Sequence, residues 1–317
     1  MAFGRRRSSP AEVHSAMNPV LLGELASLAT AVCWTGSATF FSIASQRLGS
    51  VVLNRTRLLL AVVFLLVTHT LALGTPLPLD AAPDRWLWLG LSGVVGLAIG
   101  DAMLFQAYVL IGPRLGMLMM STAPVMSALL ALALLGERLR GLEWFGVLLT
   151  VAGIGWVVTR GSGPLLDRHK PHYVRGLILG FGAAACQAAG LTLSKLGLGG
   201  DFPALSGVVI RMLAAFVALW GWTLVRREIG ATFTRLSQER PALLPAVAGA
   251  IVGPFLGVWF SLIGVQLARV GVASTIMALP PVFLLPIARF VLKEDINWQA
   301  WAGTFVAMAG IALLFLI

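Results

Sequence analysis

Apolar residues along this chain are gathered into ten long runs, and polar residues are confined to the short connections between them. The approximate limits are 20–45, 52–74, 86–111, 116–135 and 141–159, then 175–196, 204–225, 243–267, 272–292 and 298–316. Each run is near the roughly 20 residues that a helix needs to cross the hydrocarbon core of a bilayer. The pattern predicts an all-α integral membrane protein with ten transmembrane helices. A polar, basic tail at 1–19 precedes the first run, and a polar loop at 160–174 separates two groups of five.

The two groups repeat one another. At an offset of 157, Gly96 meets Gly253, Gly100 meets Gly257, Met120 meets Met277, Pro124-Val125 meets Pro281-Val282, and Glu137 meets Glu294. Near the start of each half the offset is 153, pairing Cys33 with Cys186, and at Arg57 with Arg211 it is 154. The halves therefore differ by small loop insertions, with one repeat at 20–159 and the other at 175–317. Five crossings is an odd number, so the second repeat must enter the bilayer inverted relative to the first. Inverted repeats place a binding site at their interface and let it face either side in turn.

Composition sharpens this picture. Hydrophobic residues make up 58% of the chain and charged residues 11%, against about 25% charged in a soluble domain. Mean hydropathy is +0.90. Ten spans nearly exhaust 317 residues, which leaves no room for a soluble catalytic domain. The first run is too long and too late in the chain for a cleaved signal peptide, so it is expected to be retained. The net charge of +10 is scattered over loops and the Arg5-Arg6-Arg7 tail, without a basic stripe bearing interleaved aromatics. Juxtamembrane anchoring explains it better than nucleic-acid binding. Cys33 and Cys186 lie inside spans without metal-ligand spacing, so no metal or cofactor is expected. Odd-numbered loops carry more Lys and Arg, which favours those loops in the cytoplasm, whereas the arginine tail favours the N-terminus there; with ten crossings the two signals oppose one another.

Few polar groups sit inside the spans. Asp101 lies near the middle of the third, directly after a glycine stripe at Gly90, Gly93, Gly96 and Gly100. Phe105 and Tyr108 follow at four and seven residues, so all three share one helical face, with Gln106 turned away. A lone carboxylate at that depth costs several kcal/mol unless it is paired, hydrated or protonated. Its repeat partner is Val258, so Asp101 breaks the internal symmetry, as a specific site would require. Arg57 and Arg211 are candidate counter-ions to Asp101 or to an anionic solute group; Arg57 alternatively snorkels to the interface, and structural pairing weighs equally. Lys195 near the end of the sixth run is a second candidate for snorkelling, and His69 is expected at an interface. Pro124 and Pro281 inside runs four and nine are expected to bend their helices and free carbonyls at depth. Trp34 and Trp259 fall mid-span as candidate cavity walls, with core packing the stronger alternative.

Taken together, these residues resemble the drug/metabolite transporter superfamily, in particular its ten-helix EamA-like members. The resemblance rests on Ala31-Val32-Cys33-Trp34, the Arg57 segment, Gly100-Asp101 through Phe105 to Ala107, Ala123-Pro124 with Gly136-Glu137, and Gly146 with Ala152-Gly153-Ile154. It runs from about 20 to 317. It implies a basket of ten helices in the bacterial inner membrane that moves a small metabolite or drug-like solute by alternating access, as a monomer or homodimer. Small multidrug exporters of the superfamily carry a membrane Glu eight residues before a Lys. Counting back from Lys195 gives Gln187, and the aligned position of the first half is Trp34, so proton coupling through that carboxylate is not expected. If protons are coupled, Asp101 is the residue to carry them. There is no Walker-type phosphate loop for ATP-driven transport. Two rival readings are an intramembrane enzyme, which would need a convergent polar set that four scattered His do not offer, and a non-transporting sensor or partner subunit.

Overall fold

A computed structural model describes residues 18–111, 116, 119–160, 172–290 and 297–315, and the elements it describes are helical. Six helical segments are long and apolar enough to cross a membrane: Pro19–Ser45, Ser50–Leu73, Pro83–Ala107, Tyr173–Gly197, Ala204–Val225 and Arg240–Leu267. Shorter apolar helices cover Ala123–Leu135, Gly141–Trp156, Val270–Leu284 and Trp298–Leu314. Large apolar side chains line the outer surface, with Leu71, Leu244 and Phe305 among the most exposed. An exposed apolar belt of this kind is what a lipid-facing surface requires.

The chain opens with α1 (Pro19–Leu48), whose start is capped by Asn18 accepting a hydrogen bond from the Val20 amide. A single glycine, Gly49, turns it into α2 (Ser50–Leu73); its φ of +78° is a left-handed value that a side chain would strain. Next come α3 (Pro83–Gly93), a π-helical turn at Val94–Gly100, and α4 (Asp101–Ile111), in one continuous run. The first half ends with α5 (Ala123–Leu135) and α6 (Gly141–Arg160). The second half comprises α7 (Tyr173–Gly197), α8 (Ala204–Val225) and a short amphipathic α9 (Ile229–Gln238). After these come α10 (Leu243–Ala250), a second π turn at Ile251–Gly257 and α11 (Val258–Leu267), then α12 (Val270–Met277), α13 (Pro280–Phe290) and α14 (Trp298–Phe315).

Packing follows the repeat. Helix α1 lies against α10, the second π turn and α11, and its counterpart α7 lies against α3, the first π turn and α4. Helices α2 and α8, and α6 and α14, pair with their own counterparts, while α5 packs against α12. The largest core cluster joins both halves, with Leu58 and Leu65 of α2, Val208 and Met212 of α8, and Val258 and Leu262 of α11 all buried.

The two prolines singled out in the sequence do something other than bend continuous helices. Pro124 is the second residue of α5, and Pro280-Pro281 open α13 after α12 has stopped at Met277. Each lies in the first turn, where a missing N–H has no intrahelical partner to lose. The result is an interrupted helix rather than a kinked one. The Ala278 and Leu279 amides close tight turns on the Thr275 and Ile276 carbonyls across the second interruption.

Candidate functional site

Two guanidinium groups and one carboxylate come together where α2 meets α4 and α8 packs against the first π turn. Asp101 is the first residue of α4, immediately after the π turn. A π turn widens the helix and displaces the side chains that follow it, and such turns recur at functional sites. The turn contains Gly96 and Gly100, and the second π turn contains Gly253 and Gly257, so the two occupy matching positions at the same 157-residue offset. The glycine stripe was visible in the sequence. The π geometry was not, because no residue pattern distinguishes a π turn from an α-helix.

Arg57 forms an ion pair with Asp101. The pair is mostly enclosed, with the two side chains 9% and 18% exposed. Arg57 Nε also donates to Asn54 Oδ1 at 2.8 Å, and the guanidinium carbon lies 5.0 Å from the Phe105 ring centroid and 6.0 Å from that of Phe41. The aromatic faces and the amide oxygen complete a desolvated setting for the cation. Arg57 is therefore buried and paired, and the snorkelling expected as an alternative does not occur. Sequence reasoning placed Phe105 on Asp101's face but missed Asn54 and Phe41. Asn54 was findable at three residues before Arg57, on the same face of α2.

Arg211, at the matching place on α8, is 1% exposed. Its Nε and Nη1 have no hydrogen-bond partner among the described residues. Its Nη2 lies between two glycines: a methyl added at Gly96 would sit 2.9 Å from it, and one at Gly190 would sit 3.1 Å from it. Asp101 is close enough to act electrostatically on Arg211 and on Cys186. The glycine stripe of α3 permits this approach. A Cβ at Gly93 would stand 1.9 Å from the Arg211 carbonyl oxygen, so α3 and α8 touch backbone to backbone there.

The other candidates scatter. Trp34 is partly buried on α1 against the second π turn, where a methyl at Gly257 would lie 2.8 Å from its Cδ1. Gln187 is half-buried on α7, next to Cys186. The Tyr108 side chain lies outside the described residues. Lys195 is ion-paired. It sits at the far end of α7, 2.5 Å from Glu137 Oε1, and donates to the Ala268 carbonyl at 2.6 Å. Glu137 Oε2 in turn accepts from the Val270 amide at 2.9 Å. At the same end of the bundle Arg269 pairs with Glu143, beside a cleft of about 350 Å³ that Glu24 also lines. These contacts tie the first half to the second. His69, near the end of α2, is 1% exposed and hydrogen-bonded to the Thr75 carbonyl and to Ser206 Oγ. At the opposite end Arg55 pairs with Glu228 and donates to Thr232 Oγ1 at 2.9 Å, a second bridge read from structure alone.

A helical bundle with an apolar exterior, buried charge at mid-helix and glycine-lined contacts is an integral membrane protein of the multi-pass class. The comparisons with known proteins specify which class. The model of the EamA-like transporter family matches residues 21–159 and again 174–316, so the chain belongs to that family and is a membrane transporter. It is 23% identical over 254 residues to the uncharacterized transporter sll0355 of Synechocystis sp. (strain ATCC 27184 / PCC 6803 / Kazusa), covering 73% of each chain. A solved crystal structure superposes with a TM-score of 0.72 at 18% identity, covering 92% of this chain and 96% of that one. That likeness concerns the fold.

Proposed function

We propose that the chain is a secondary transporter that moves a small solute by alternating access, with ten spans arranged as two inverted five-helix repeats. The observation that carries this reading is the placement of Arg57, Asp101 and Arg211 between the halves, at the point where a π turn interrupts the regular helix. Charge at that depth is costly and marks solute or ion pathways. Further support comes from the matched π turns, the matched helix interruptions before Pro124 and Pro281, and the counterpart packing of the spans. Discontinuous helices at a repeat interface are the usual surroundings of a transported solute. The Lys195–Glu137 and Arg269–Glu143 pairs close one end of the interface, and Arg55–Glu228 bridges elements near the other. Alternation requires these two sets to break in turn.

Asp101 is the carboxylate we assign to coupling. Proton binding there would dissolve its pair with Arg57 and leave that cation to a solute. The experiment is counterflow into liposomes holding the full-length protein, with labelled amino acids, nucleosides, sugar phosphates and organic cations as probes. Exchange of at least one class, accelerated by a pH gradient in wild type but not in Asp101→Asn, is the expected result. Folded, correctly inserted protein that exchanges no class would favour the sensor reading instead.

A further inference from the structure

Among the described residues, the buried arginines other than Arg211 have acidic partners. Arg55 has Glu228, Arg57 has Asp101, and Glu143 has Arg269. Arg211 is as buried as any of them and has no ion pair among the described residues, while two of its guanidinium nitrogens lack hydrogen-bond partners. Asp101 acts on it through space but is already paired with Arg57. The mid-depth cluster therefore holds two cations and one anion. An unpaired guanidinium in a low-dielectric interior is a heavy cost, and proteins retain one where something else supplies the negative charge.

The surroundings of Arg211 suit an incoming group. Gly96 and Gly190 present no side chains to Nη2. Ser92, on the turn of α3 that touches the Arg211 backbone, carries a buried hydroxyl that is also without a partner. Two guanidinium donors and one hydroxyl are thus unsatisfied around the same helix contact. A guanidinium grips an oxyanion bidentately through Nη2 with either Nε or Nη1, so each unfilled donor can form one arm of such a pair. We propose that Arg211 is an anion-binding residue, and that the transported solute carries a carboxylate or phosphate group that docks on it. This deepens the transport reading and rests on it for the word solute. Smooth glycine surfaces at Gly93, Gly96 and Gly190 would let α3 and α7 slide over α8 to admit that group.

The test is thermal unfolding of the detergent-purified full chain with paired probes at constant ionic strength. One arm pairs short mono- and dicarboxylates with their amides; a second pairs inorganic phosphate and phosphomonoesters with the parent alcohols; organic amines form the third. An anionic member should raise the unfolding temperature of wild type where its neutral partner does not, because a ligand that binds the folded state stabilises it. The first and second arms separate carboxylate from phosphate. Arg211→Gln should weaken the effect at least about tenfold, the loss expected for a charge-assisted pair. The same variant without ligand should unfold at or above the wild-type temperature, because an uncompensated cation has been removed. Gly96→Ala gives an independent arm. Its methyl contacts only the movable end of the guanidinium at close range, so the fold should persist while anion binding weakens. Protection by anions that is equal in wild type and both variants overturns the proposal. So does protection by neutral or amine probes alone, or by none. Counterflow of a neutral or cationic solute would sink this inference and leave transport intact. Anion protection through Arg211 without counterflow of any class would do the reverse.

Discussion

Replacing Asp101 by Asn keeps the shape of the side chain and removes the negative charge from the Arg57 pair. Breaking a buried ion pair by deleting one partner costs about 3–5 kcal/mol, because the remaining charge is left uncompensated. The structure argues for a value in the lower part of that range. Asp101 is 18% exposed, which allows some hydration, and Arg57 keeps its Asn54 bond and the Phe105 face. We expect a loss of roughly 3–4 kcal/mol, measured by equilibrium unfolding in mixed micelles. The double replacement Arg57→Met with Asp101→Leu removes both charges and fills the space with apolar atoms. It should cost less than Asp101→Asn alone, since a well-packed apolar pair substitutes for a buried ion pair at little penalty. A coupling energy of about 2 kcal/mol between the two sites is the signature of a direct pair. Single and double changes that add without coupling, or an Asp101→Asn cost below about 1 kcal/mol, would refute the claim that this pair is desolvated and structurally engaged.

Three further outcomes follow from the geometry. Gly93→Ala drives a methyl to 1.9 Å from the Arg211 carbonyl oxygen and should cost about 3 kcal/mol or more, whereas Gly36→Ala meets only Val252 at 3.5 Å and should be neutral or slightly stabilising in the same unfolding assay. Glu137→Gln with Lys195→Met removes a bridge between the halves, so a cysteine placed near Val270 should label faster with a membrane-impermeant reagent; unchanged labelling would exclude a closing role for that bridge. Outside the spans, the Glu228 carboxyl is held below the usual carboxylate range, chiefly by the hydrogen bond from Arg55. A pKa depressed on folding contributes stability that is present above the unfolded value and lost as pH falls through the folded one. Stability against unfolding should therefore fall below about pH 4.5 in wild type relative to Glu228→Gln; parallel pH profiles would remove Glu228 from that linkage.

Much of the architecture was legible because bilayer spans are written in long apolar runs, and because the repeat is written in recurring glycines and prolines. Asp101 stood out for the same reason, as a charge in a place where charge is expensive. What the sequence could not convey is which cation Asp101 meets, since Arg57 is 44 residues away and Arg211 more distant still. That choice is made by the packing of α2 against α4 and of α8 against the first π turn. Charge pairs across the ends of the bundle were hidden likewise. Glu137 and Lys195 belong to different halves, and their meeting depends on how far the repeats close together.

The internal symmetry of this chain makes the departure at Asp101 informative. Arg57 and Arg211 occupy matching positions, but the position that supplies Asp101 in the first half supplies Val258 in the second. A scaffold built from two equivalent halves can present each half's arginine to the same interface, and symmetry alone would leave both cations uncompensated. The single carboxylate neutralises one of them. The other stays buried, at 1% exposure, with donors unfilled. If structural economy had set this pattern, a second acid at Val258 or an apolar residue at Arg211 would have completed it, and either is one substitution away in kind. Val258→Asp is thus a direct test of the asymmetry: its unfolding temperature and its anion protection should both be compared with wild type. A repeat-symmetric acid that stabilises the protein and abolishes anion protection would mean that the unmatched arginine is kept for a ligand. A change that leaves anion protection intact would mean that Val258 lies too far from Arg211 to serve as the missing partner, and the argument from broken symmetry would fall.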